Sequence, residues 1–89
     1  MKTFFQKLGE NIRNARLTED MTQEQLAQQV GVSSTCISQY EAGKRRPNAE
    51  VLAIISETLC VSLDYLIPDV EHSFPVDPDQ SSIYDLIGE

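Results

Sequence analysis

The stretch TQEQLAQQVGVSSTCISQYEAG, Thr22 to Gly43, places two short amphipathic segments on either side of one glycine, and few folds accommodate that pattern. From Gln23 to Val30 the apolar residues Leu26, Ala27 and Val30 fall on one narrow helical arc, with Glu24, Gln25, Gln28 and Gln29 opposite. Thr22 is placed to cap this helix, and Gln25 three positions later completes a capping box that satisfies otherwise orphaned backbone N–H groups. Gly31 adopts a left-handed conformation cheaply and ends the helix; Val32 turns inward and Ser33 is a good N-cap for a second helix. The spacing therefore predicts two helices joined by a tight turn of about three residues.

The second helix, Ser34 to Glu41, divides into two faces. Ser34, Thr35, Ser38 and Gln39 share one arc at roughly 100° per residue, and Cys36, Ile37 and Tyr40 share the other. One face packs; the other offers short, neutral hydrogen-bonding groups suited to base edges in a major groove. Ala27 is the small residue that lets this helix approach the first one. Three consecutive cations, Lys44, Arg45 and Arg46, follow Gly43, where phosphates would pass beside a helix lying in the groove.

The run TQEQLAQQVGVSSTCISQYEAGKRRP resembles the helix-turn-helix of phage repressors and Cro proteins, the xenobiotic-response-element type. The similarity runs from about Leu8 to Leu66, closing on VSLDYL. It implies an all-α fold: a compact five-helix, lambda-repressor-like DNA-binding domain. It further implies that Arg16 pairs with Glu41, tying the first helix to the end of the recognition helix. Two departures stand out. The family often has Asn where Ala42 stands, which removes one phosphate contact, and usually Gly where Cys60 stands, so that either this turn differs or strain is tolerated there.

Length and charge agree with one small domain. A chain of 89 residues supports a single modest core. No apolar run reaches the length of a membrane span, and MKTFFQKLGENIR has no secretory character, so no membrane partner is expected. The formal charge of −7 is unevenly distributed. Residues 1–66 carry seven bases against eight acids, whereas residues 67–89 carry six acids and no base. Binding to an anionic duplex depends on where the positive charge lies, not on the whole-chain sum. Cys36 and Cys60 are both expected on buried faces as reduced thiols of a cytoplasmic protein, a disulfide being the less favoured reading. His72 has no partner cluster. No metal ligands, catalytic residues or phosphate-cradling glycines are found, so neither a cofactor nor an enzyme is expected.

Along the chain, Thr3 to Leu17 reads as a first helix with Phe5, Leu8, Ile12 and Ala15 on one stripe, followed by a loop to an inward-facing Met21. Asn48 caps a fourth helix, Ala49 to about Leu59, with Val51, Leu52, Ile55 and Leu59 inward. Ser62 caps a last one, Leu63 to Ile67, whose Leu63 and Leu66 close the core before Pro68. Leu66 and Ile67 serve either the core alone or, as the resemblance implies, a dimer seam. The domain thus comprises residues 1–67. Residues 68–89 form an acidic, Pro-containing tail with interspersed apolar residues, which docks on its own dimer, on another protein, or not at all.

The expected function is sequence-specific binding of double-stranded DNA as a transcriptional regulator. Ser34, Thr35, Ser38 and Gln39 read bases, with Gln39 suited to bidentate contact with adenine. Thr22, Gln23, Lys44, Arg45 and Arg46 hold phosphates; Gln28 touches phosphate or buttresses Ser34. So small an interface reads few base pairs, which favours a homodimer on a near-palindrome, acting as a repressor. Two alternatives use the same fold: a DNA-binding antitoxin whose tail occupies a toxin, and a protein-binding adaptor.

Overall fold

The computed structural model describes residues 1–68, and five helices succeed one another along them: α1 (Phe4–Thr18), α2 (Gln23–Val30), α3 (Ser34–Ala42), α4 (Ala49–Thr58) and α5 (Leu63–Leu66). Each begins at the residue whose side chain can replace a missing backbone partner. Thr3 and Thr22 open α1 and α2 through full capping boxes with Gln6 and Gln25. Ser33, Asn48 and Ser62 accept from the backbone N–H three residues on. Gly31 and Gly43 end α2 and α3 in the left-handed conformation, at φ 90° and 77°.

The apolar stripes meet in one core. Leu8 and Ile12 of α1, Leu26 of α2, Ile37 of α3, Ile55 and Leu59 at the end of α4, and Leu66 of α5 are all but inaccessible to solvent. Ala15, Ala27 and Tyr40 are buried among them, and Phe5, Met21, Val32, Cys36, Val51 and Leu52 pack at the margin. Asn11 Nδ2 donates to the Leu66 carbonyl at 2.9 Å, fastening α5 to α1.

Three features depart from expectation. Cys60 is exposed, and at φ 59° it adopts the left-handed turn a glycine would occupy, so the strain is tolerated. Cys36 is only half-buried, while both thiols are free, as the sequence leads one to expect. Leu63 does not close the core; it is 42% exposed, because only Leu66 of the short α5 can face inward. The acidic tail expected to dock, residues 69–89, lies outside the described residues.

Candidate nucleic-acid interface

The position of α3 is set by two helices. Ala27 is 3% exposed, and its small side chain lets α2 receive Ile37 and Tyr40 closely. On the other side α1 meets the last turn of α3 backbone to backbone. A Cβ at Gly9 would stand 2.3 Å from the Tyr40 carbonyl oxygen and 2.4 Å from that of Glu41. A Cβ at Gly43 would meet Gln6 at 2.7 Å. Gly9 and Gly43 therefore allow the contact that fixes the angle of α3.

Beneath this contact, Arg16 and Glu41 meet. Arg16 Nε donates to Glu41 Oε2 at 2.7 Å and Nη2 to Oε1 at 3.1 Å, with both side chains nearly buried. Arg16 Nη1 also donates to the Met21 carbonyl at 2.8 Å. Gln23 Nε2 donates to Glu41 Oε1 at 3.0 Å, so this side chain belongs to the same cluster. One amide hydrogen and the amide oxygen of Gln23 are left for any outside partner.

With Ile37 and Tyr40 anchored, the opposite face of α3 is turned outward. Thr35 and Ser38 are exposed, and Ser34 and Gln39 are half-buried beside them. Thr22 and Gln28 are exposed on α2. The capping box occupies the backbone N–H of Thr22 and of Gln25, which leaves those of Gln23 and Glu24 at the open, positive end of the helix. Lys44, Arg45 and Arg46 are exposed at the other end of α3. They are not equivalent. The guanidinium of Arg46 lies 4.8 Å over the Phe5 ring, a cation–π contact that holds it against α1. Arg45 Nε donates to Gln39 Oε1 at 2.9 Å, and Lys44 has no bonded side-chain partner among the described residues. Burial pushes the Tyr40 phenol up to about 12, and the neighbouring Cys36 thiol adds to the shift.

Sequence reasoning passes over Gly9 and Asn11 as positioning residues, and over the contact of Phe5 with Arg46; of these only Gly9 carries a signal that can reveal it. A glycine inside an apolar helical stripe costs stability relative to alanine, so its presence in α1 is a legible sign of close backbone approach. The described residues contain no group of three or more potential metal ligands, and no helix of the structure is long and apolar enough to cross a membrane.

A five-helix domain with an outward polar helix, held by a tight turn against a second helix, defines a helix-turn-helix protein of the repressor type. The chain belongs to the Helix-turn-helix family, whose profile matches residues 12–66. It is 42% identical over 65 residues to the HTH-type transcriptional activator BcrR of Enterococcus faecalis, covering 73% of this chain and 32% of that protein. It is likewise 42% identical over 62 residues to Repressor protein C2 of Salmonella phage P22, covering 70% of this chain and 29% of the repressor. Among solved structures, the P22 c2 repressor protein in complex with synthetic operator 9T matches with a TM-score of 0.65 at 42% identity. That match covers 67% of this chain and 91% of the other. The chain thus spans about a third of the two curated relatives, which are regulators of transcription and not enzymes.

Proposed function

We propose that this chain is a transcriptional regulator that binds double-stranded DNA sequence-specifically, laying α3 in the major groove. The observation that carries the reading is the asymmetry of α3. Ile37 and Tyr40 are locked in the core while Thr35 and Ser38 stand free, with Ser34 and Gln39 beside them and cations directly after the helix. The likeness to a repressor domain solved on its operator supports it. Residues 1–67 are the DNA-binding unit. Ser34, Thr35, Ser38 and Gln39 face base edges; Thr22, Gln23, Gln28, Lys44 and Arg46 face phosphates. Arg16 and Glu41 take no direct part and hold the frame.

The protein acts as a homodimer on a near-palindromic operator with half-sites about 34 Å apart, and represses by occupying a promoter. Leu63, Tyr65 and Ile67 support a second copy at α5, being 42, 48 and 37% exposed. It works in the cytoplasm, where its thiols remain reduced.

Selection from random DNA with wild type, Ser38→Ala, Gln39→Ala and Lys44→Ala tests this reading. The α3 variants change which bases are enriched, whereas Lys44→Ala weakens all sites alike and lowers the salt slope by roughly one phosphate. Identical behaviour of the α3 variants and Lys44→Ala defeats the assignment. Failure of wild type to bind any duplex at low salt defeats the function.

A further inference from the structure

Gln39 and Arg45 are joined twice. The Gln39 carbonyl accepts from the Lys44 N–H at 2.9 Å and from the Arg45 N–H at 3.3 Å, folding the loop back on the last turn of α3. The side chains then close the same link, Arg45 Nε donating to Gln39 Oε1 at 2.9 Å. An unrestrained glutamine amide is ambivalent, because a turn of its last torsion exchanges acceptor and donor. That ambivalence suits adenine, which shows the N7 acceptor beside the N6 amino donor. Here one lone pair of the amide oxygen accepts from a cation, which fixes the flip of the amide and weakens that oxygen as an acceptor for a further donor. What predominates toward a base is the Nε2 amino group of Gln39 together with the Nη amino groups of Arg45, all donors. An adenine N6 amino group would confront them. Guanine offers N7 and O6, two acceptors side by side.

We propose that Arg45 is a specificity-determining residue that acts through Gln39: by holding the amide oxygen it makes the pair a donor array selecting guanine over adenine at the base pair facing Gln39. This extends the proposed function, resting on its placement of Gln39 against a base edge, and replaces both the adenine contact and the simple phosphate role that the sequence suggests for these residues. Lys44 and Arg46, which do not bond Gln39, keep the phosphate role.

Selection from random DNA with the full chain separates the two levels. Gln39→Ala identifies the operator position that Gln39 reads. At that position wild type enriches guanine over adenine by about tenfold, within the range of one good bidentate contact. Arg45→Ala shifts that one position toward adenine and leaves the others as they are. Arg45→Lys restores the salt dependence of binding but not guanine, since an ammonium lacks the planar fork that holds the amide. Arg45 is exposed, and an unchanged urea midpoint confirms that each variant is folded. The proposal is overturned if wild type prefers any other base there, or if Arg45→Ala weakens every site by one common factor with the base profile intact. A Gln39→Ala profile identical to wild type at every position overturns the base-reading role of Gln39 as well.

Discussion

Arg16 and Glu41, 25 residues apart, share two hydrogen bonds of 2.7 and 3.1 Å beneath the junction of α1 and α3. The remaining contacts, from Gln23 to Glu41 and from Arg16 to the Met21 carbonyl, draw α2 and the α1–α2 loop into the same cluster. One ion pair thus connects all three elements that set the attitude of the exposed face.

Removing one partner leaves the other charge buried. Arg16→Ala is expected to cost about 3–5 kcal/mol in urea unfolding, and Glu41→Ala a similar amount. The double substitution Arg16→Met with Glu41→Leu loses less than either, because no stranded charge remains. A loss below about 1 kcal/mol in Arg16→Ala would place the pair in solvent.

Gly9 is tested by the smallest possible change. Gly9→Ala adds one methyl group that must displace the backbone carbonyls of Tyr40 and Glu41, neither of which is a flexible side-chain end. Despite the better helix propensity of alanine, a net loss of about 1–3 kcal/mol is expected from overpacking. DNA affinity should fall at temperatures where the variant is still folded, since α3 is re-aimed. A more stable Gly9→Ala protein would show that α1 and α3 have room to spare.

Most of this fold is written in local chemistry, which is why it can be read. Thr22 with Gln25, Ser33, Asn48 and Ser62 announce helix starts by groups that bond within three residues, and Gly31 and Gly43 announce ends by a backbone state other residues avoid. The outward arc of α3 is legible for the same reason, since helical period alone puts Ser34, Thr35, Ser38 and Gln39 together. What escapes such a reading is set by encounters between distant elements. Nothing near Phe5 indicates that Arg46 will settle over its ring, and nothing near Gln23 shows that Glu41 will claim its amide. Leu63 is misplaced by periodicity because a four-residue helix has too little length for its apolar pattern to fix a face.

Cys60 occupies a left-handed turn, φ 59°, without the glycine that the position favours. Its side chain is exposed, so nothing in the core depends on it. Cys60→Gly is expected to raise the unfolding free energy by about 0.5–1 kcal/mol, the relief of left-handed strain exceeding the added chain entropy of the unfolded state. Cys60→Val, which brings a branched side chain to the same φ, should lower it. The reverse order in urea melts would mean that the thiol itself holds the turn.

Tyr40 gives the domain an alkaline limit. Burial, reinforced by the Cys36 thiol and partly offset by Arg45, moves its phenol from the ordinary 10.0 to about 12. An unfolded chain therefore begins to lose this proton near pH 10 while the folded chain keeps it, so the unfolded state binds fewer protons and rising pH favours unfolding. The stabilisation is fully present below about pH 10 and is lost as pH climbs toward 12, by an amount on the order of 2 kcal/mol. Tyr40→Phe keeps the ring in the core and has no proton to lose. Urea midpoints measured from pH 8 to 12 should fall more steeply for wild type than for Tyr40→Phe above about pH 10, where the phenol of the unfolded chain begins to ionise. Parallel curves across that range would mean that the phenol reaches water and titrates normally in the folded protein.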